Sequence, residues 1–189
     1  SLFALKEFGN IYSRIGNPTV GALEARLTAL EEGAMCVALS SGTSAVMYSL
    51  INIMSQGDNF ISASQLYGGT YTMFDNILPE YGINAKKVDI TDFKAVEESI
   101  DEKTRAIYCE TITNPGLVVA DITALSEIAH ANGIPLIVDA TFTTSAIQKS
   151  FDFGADIVVY SLTKWMSGHG RVIAGAVIEK GGFNWGNGN

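Results

Sequence analysis

The sequence predicts an α/β fold: a mostly parallel sheet with helices on both faces. Short apolar, β-branched runs alternate along the chain with stretches of helical period, the pattern of strands joined by crossover helices. Hydroxyl, amine and carboxylate side chains stand just beyond several of the apolar runs, and the carboxyl ends of parallel strands are where such folds place their ligands. With 47% hydrophobic residues, a chain of 189 residues can bury the core of one domain.

Residues 1–16 show no sustained period and are expected to form an arm, leaving 17–189 as the domain. Pro18 opens a helix in which Val20, Leu23, Leu27 and Leu30 recur at helical spacing until Gly33. Met35 to Leu39 is a short apolar run, after which Ser40, Ser41 and Gly42 lead into a second helix predicted from Thr43 to about Ser55. A helix start behind a loop of small residues favours anions. Strands are predicted at Asn59 to Ala63, Ala85 to Val88, Ala106 to Glu110, Pro135 to Val138, Asp156 to Tyr160 and Val172 to Ile178. Helices are predicted at Tyr71 to Leu78, Phe93 to Ile100 and Ile122 to Asn132, the last closed by Gly133. No helix of ordinary length fits between Lys164 and Val172, so the final strand is expected to run antiparallel.

Twelve basic against twenty acidic residues give a net charge of -8, which disfavours non-specific binding to nucleic acid or an anionic membrane. No apolar run approaches the ~18 residues of a membrane span, and no charged segment precedes an apolar one at the start, so a cytoplasmic protein is expected. Cys36 and Cys109 lie in apolar runs without metal-ligand spacing; they read as buried reduced thiols, with no metal site indicated.

The stretch Asp156 to Gly170, D-I-V-V-Y-S-L-T-K-W-M-S-G-H-G, concentrates the chemistry. A strand ends at Tyr160, and Ser161, Thr163 and Lys164 follow at once. Burial beside the strand would strip hydration from the lysine and draw its pKa below ~10.4, leaving an amine able to attack a carbonyl. The two hydroxyls suit an anionic group beside it. Alone, S-x-T-K is a weak pattern that more often marks a surface lysine after a strand. Asp139, at the end of the run Pro135, Leu136, Ile137, Val138, changes the balance, because a carboxylate there needs a cation such as a protonated pyridine nitrogen. Amine, acid and anion site together match a phosphorylated pyridine aldehyde, pyridoxal phosphate.

The blocks Y-S-R-I-G-N-P-T (Tyr12 to Thr19), S-S-G-T-S-A (Ser40 to Ala45), Y-G-G-T (Tyr67 to Thr70), E-T-I-T-N-P (Glu110 to Pro115), V-D-A-T-F (Val138 to Phe142) and S-L-T-K-W-M-S-G-H-G (Ser161 to Gly170) resemble the Cys/Met-metabolism family of pyridoxal-phosphate enzymes. The resemblance implies the large domain of the aspartate-aminotransferase-like fold type I. It makes Lys164 the lysine that carries the cofactor and moves protons, Asp139 the partner of the pyridine nitrogen, and Tyr67 the ring stacked on the pyridine and an aid to proton movement. Gly42, Thr43, Ser161 and Thr163 would hold the phosphate, Asn114 the phenolic oxygen, and Thr141 would also face the cofactor. Tyr12 and Arg14 would reach the phosphate of a neighbouring subunit in a homotetramer with shared active sites. His169, between two glycines, is read as shaping its loop.

Two positions depart from the family pattern: Ala140 stands where asparagine is usual, and Thr43 where methionine is frequent. The resemblance further implies a fragment of a longer chain that lacks a C-terminal domain. Within the family, the tail from Gly181 to Trp185 and the run from Leu50 to Phe60 are similar to O-acetylhomoserine sulfhydrylases. The implied reaction is γ-replacement of O-acetylhomoserine by sulfide to give homocysteine, with an amino acid and a sulfide or thiol as its small-molecule partners. Cystathionine γ-synthase or γ-lyase chemistry uses the same apparatus, and a non-catalytic fragment that binds cofactor or only oligomerises stays open.

Overall fold

The structure is a computed structural model describing residues 2–4 and 6–187. The described residues of 2–16 contain no helix or strand and turn at Tyr12, whose carbonyl accepts from the N–H groups of Ile15 and Gly16. Helix α1 (Pro18–Glu31) begins where the Asn17 side chain accepts from Thr19 N–H at 2.9 Å and Val20 N–H at 3.3 Å, satisfying two first-turn donors. Strand β1 (Met35–Leu39) and helix α2 (Gly42–Ile51) follow; the Ser41 hydroxyl caps α2 through Ser44 N–H. The helix stops four residues short of Ser55.

Strand β2 (Asn59–Ala63) matches its predicted bounds. The helix expected at Tyr71 to Leu78 is instead a relay: α3 (Gly68–Thr72), a π turn at Met73–Ile77 and a 3₁₀ turn at Leu78–Tyr81. Its physical anchor is Phe74, fully buried and edge-on to Phe60 and Tyr108 at ring separations of 4.8 and 5.2 Å. Then come β3 (Asn84–Val88), α4 (Phe93–Glu98), β4 (Thr104–Glu110), α5 (Ile122–Ala131), β5 (Leu136–Asp139) and α6 (Thr144–Ile147). After a 3₁₀ turn at Ser150–Phe153 the chain forms β6 (Ile157–Ser161) and β7 (Gly175–Glu179).

The strands form one sheet in the order β1-β7-β6-β5-β4-β2-β3. Pairings from β3 through β6 are parallel, and β7 runs antiparallel to both β6 and β1, as expected of the final strand. That strand starts at Gly175 rather than Val172. Val172 and Ile173 are exposed, and pairing begins only where Gly175 meets the Ser41 backbone so closely that a Cβ would lie 2.0 Å from Ser41 O.

Register defines the faces, because residues paired side by side point the same way. Ser62, Tyr108 and Ile137 share one face, and Glu110, Asp139 and Val159 continue it toward the strand ends. Ser161 lies on this face, with α2 against it. Tyr160 points to the opposite face, where its hydroxyl donates to Glu31 at the end of α1. Both faces are therefore covered by helices. Connections from β2 run outward to β3 while those from β4 run the other way to β5, so the order reverses between β2 and β4, a place where such sheets open a crevice.

A polar clasp ties the opposite ends of β2, β3 and β4. Asp101 accepts from Lys86 Nζ at 2.6 Å, Asn59 Nδ2 at 2.9 Å and the Lys103 N–H at 2.9 Å. The Lys86 ammonium first, then Asn59 and Lys103, hold the Asp101 carboxyl below the usual carboxylate range. A depressed folded-state pKa stabilises above the unfolded value of ~3.9, and the stabilisation is lost as pH falls through the folded value. Asp101→Asn is therefore expected to lower the melting temperature at pH 7, and its deficit relative to wild type should shrink as thermal scans move below about pH 4.

Candidate active site

β5 owes its burial to Leu136, Ile137 and Val138, all without solvent contact, and it ends on Asp139. Thr141 N–H donates to Asp139 Oδ1 at 2.9 Å, and the Tyr108 hydroxyl donates to Oδ2 at 3.4 Å. Burial nonetheless dominates and raises the Asp139 pKa, opposed by the Thr141 and Tyr108 bonds. This carboxylate favours a cation. Ala140, fully buried, gives its N–H to Val159 O and takes Thr144 N–H on its carbonyl.

Thr141 also works in the other direction, its Oγ1 accepting from Ser161 N–H at 2.8 Å. One threonine thus joins the acid on β5 to the end of β6. Gly42, the first residue of α2, packs against Ser161 so tightly that a Cβ would come within 2.5 Å of the serine Cβ. Only glycine lets the helix start this close. The leading N–H groups of α2 have no acceptor within the helix and open toward the strand ends, as an anion requires.

Thr163 and Lys164 stand differently from expectation. The Thr163 hydroxyl donates to Ala174 O at 3.2 Å and accepts Ala174 N–H at 3.1 Å, closing the loop from 163 to 174. Lys164 is exposed, so the burial expected beside β6 is not found. The reason is that β6 ends at Ser161 and the chain runs beyond the carboxyl end of that strand until β7 begins at Gly175. His169 does shape this loop, its Nδ1 donating to Ser167 O at 2.9 Å.

Across the crevice, Tyr67 N–H donates to Glu110 Oε1 at 2.7 Å and Asn114 N–H to Oε2 at 2.8 Å. The Tyr67 ring is about half exposed and lies over Gly69, while the Asn114 residue is exposed. Glu110 and Tyr108 are the residues that sequence reasoning left without a role. The signal for Glu110 was present, an acid ending a buried strand, the same that singled out Asp139.

Tyr12 and Arg14 keep to the arm, the guanidinium 5.2 Å from the tyrosine ring centre. Among the described residues no hydrogen bond or ion pair joins them to the strand ends. Burial pushes the Cys36 and Cys109 thiols up to about 12, which leaves both unreactive. A groove of ≈ 600 Å³ between α1 and β1 contains none of the chemistry-bearing residues.

An acid seeking a cation, a helix N-terminus pressed against the next strand end, a half-exposed aromatic ring and a lysine one turn further on fit pyridoxal phosphate. The fold is that of the fold type I pyridoxal-phosphate enzymes. The chain belongs to the Cys/Met metabolism PLP-dependent enzyme family, whose sequence model matches residues 1–188. It is 46% identical over 187 residues to the O-acetyl-L-homoserine sulfhydrylase of Leptospira meyeri, covering 99% of this chain and 42% of that protein. A solved structure described as an O-acetylhomoserine (thiol)-lyase of Campylobacter jejuni, carrying an N'-pyridoxyl-lysine-5'-monophosphate, superposes with a TM-score of 0.93 at 40% identity, over 99% of this chain and 46% of that one. Cystathionine γ-lyase of Lactobacillus plantarum in complex with L-serine gives a TM-score of 0.88 at 40% identity, over 93% of this chain and 46% of that one. The chain therefore spans less than half the length of these relatives. Among the described residues no helix is long and apolar enough to cross a membrane, and no group of three or more His, Cys, Asp or Glu is placed to hold a metal ion.

The link from Asp139 through Thr141 to Ser161 can be cut without changing shape. Thr141→Val keeps the side-chain volume but leaves Ser161 N–H without its acceptor. The variant is expected to lose about 1–3 kcal/mol of stability in urea unfolding.

Proposed function

We propose that this chain is the cofactor-binding part of a transferase that replaces the acetate of O-acetylhomoserine with sulfide, releasing homocysteine and acetate. The observation that carries this reading is the desolvated Asp139, tied through Thr141 to the Ser161 end where α2 begins, in a chain 46% identical to a sulfhydrylase. When bound, pyridoxal phosphate draws electron density from the substrate α-carbon into its ring. Asp139 holds the proton on the pyridine nitrogen. Its hunger for positive charge, a consequence of burial, matches that task.

Lys164 Nζ would hold the cofactor at its aldehyde carbon, and the same amine would move the proton at the substrate α-carbon. Its exposed, glycine-flanked loop leaves the amine room for both tasks. The α2 N–H groups of Gly42 and Thr43, with the hydroxyl of Ser161, would take the phosphate, while Thr163 keeps the loop closed around them. Tyr67 covers the pyridine ring and assists proton movement, and Asn114 meets the phenolic oxygen. Residues 17–189 then form the cofactor-binding domain and 1–16 the arm of a cytoplasmic enzyme. Two buried, unpaired thiols suit that compartment.

Cystathionine γ-lyase chemistry is the second reading, favoured by a structural likeness at the same 40% identity. Specificity constants of the full-length protein decide between them. We expect O-acetylhomoserine plus sulfide to be turned over in preference to cystathionine cleavage or to cysteine as the thiol; preference for either competitor reverses the assignment.

The exposed pair Tyr12 and Arg14, with no partner among the strand-end residues of its own chain, supports a site completed by a neighbouring subunit of a homotetramer. Arginine offers a planar fork for phosphate. Lys164→Ala and Arg14→Ala proteins, each nearly inactive, should regain about a quarter of wild-type sites after random subunit exchange, because one mixed site has both groups intact. No recovery despite demonstrated exchange would place Arg14 at its own chain's phosphate.

A further inference from the structure

Glu110 is a buried carboxylate that no part of the proposed chemistry uses. It is 6% exposed, ends β4 in register with Asp139, and forms no ion pair among the described residues. A buried carboxylate without a cation is costly unless its oxygens are hydrogen-bonded. Here each oxygen takes one backbone N–H, Tyr67 at 2.7 Å and Asn114 at 2.8 Å, from loops on opposite sides of the crevice between β2 and β4. The loops also touch further out, where a Cβ on Gly116 would overlap the Gln65 amide oxygen.

We propose that Glu110 is a positioning residue that sets Tyr67 and Asn114 toward the cofactor as one unit, by clamping the backbones of both loops to a single carboxylate. The inference rests on the cofactor-binding reading above. A carboxylate is the side chain this task demands. Glutamine has one acceptor oxygen and would turn an N–H₂ toward one of the two N–H groups, and aspartate is a methylene shorter. Because both oxygens must accept, the clamp needs the anion.

Burial above all, opposed by the Tyr67 and Asn114 bonds and helped by the Asp139 charge on β5, raises the Glu110 carboxyl to about 7. The other titratable groups on its face are Tyr108 on β4, raised by burial, and Tyr67 itself; Cys109, its neighbour on β4, points to the opposite face and is also raised by burial. Protonation leaves one oxygen a poorer acceptor for its N–H, so the hold on one loop weakens as pH falls through this range.

The test is a mutant cycle in the full-length apoprotein, read by the dissociation constant for pyridoxal phosphate, the visible circular dichroism of the bound cofactor and the melting temperature. Glu110→Gln should weaken cofactor binding about tenfold in the wild-type background and less than twofold in a Tyr67→Ala/Asn114→Ala background, since it acts only through those two residues. The circular dichroism band should change in the first case alone. An equal loss in both backgrounds, or no loss in either, overturns the proposal, whatever the melting temperature does. Should Glu110→Gln fail to fold, binding is compared across pH 6 to 9: wild type should weaken on the acid side by a step missing from the Tyr67→Ala/Asn114→Ala protein, and parallel profiles overturn the clamp. If wild type does not bind pyridoxal phosphate at all, the functional reading falls with it, whereas binding with additive losses removes only the clamp.

Discussion

Two carboxylates in register on neighbouring strands, Glu110 and Asp139, impose the condition that the rest of the cleft meets. Parallel strands buried on both faces leave little water at their ends, so each charge has to find donors within the protein. The two solve this differently. Glu110 saturates both oxygens with backbone N–H groups from separate loops. Asp139 takes one backbone donor and a long bond from Tyr108, and burial still outweighs them. One acid is thereby committed to architecture, and the other is left wanting a cation.

That division organises the neighbouring elements. Thr141 carries the position of Asp139 across to Ser161, and the absence of a side chain at Gly42 lets α2 dock on Ser161 at the strand ends. Gly175 repeats the device from β7, meeting the Ser41 carbonyl where a Cβ could not fit. An anion at the helix start and a cation at Asp139 are the two ends of the cofactor proposed for this cleft. Sheet order, rather than any single motif, brings these groups together, since the acid, the hydroxyl and the helix start come from β5, β6 and the stretch after β1.

Much of the fold could be read from residues because its causes are local. Asn17 before Pro18, Ser41 before Gly42, Asp92 and Asp121 before their helices all cap within three residues, and apolar runs such as Asn59 to Ala63 declare a buried strand by composition. Failures came where local pattern was overruled by packing. Val172 and Ile173 look like strand and are exposed, because pairing waits for a glycine that can approach Ser41. Tyr71 to Leu78 look like one helix, yet the chain from 68 to 81 changes pitch around Phe74, which has to fit between Phe60 and Tyr108.

By itself the sequence determined the α/β alternation, the starts of the helices after Asn17 and Ser41, the placing of Asp139 and Lys164 at or just past strand ends, and a family resemblance carried by ordered short blocks. Tertiary structure alone decided that Glu110 joins Tyr67 and Asn114, that Thr163 spends its hydroxyl on Ala174, that Thr141 bridges to Ser161, and that Lys164 stands exposed. The physical reason is separation along the chain. Tyr67 and Glu110 are 43 residues apart, Thr141 and Ser161 20, and a hydrogen bond across such a span depends on register and sheet order, which no local periodicity encodes.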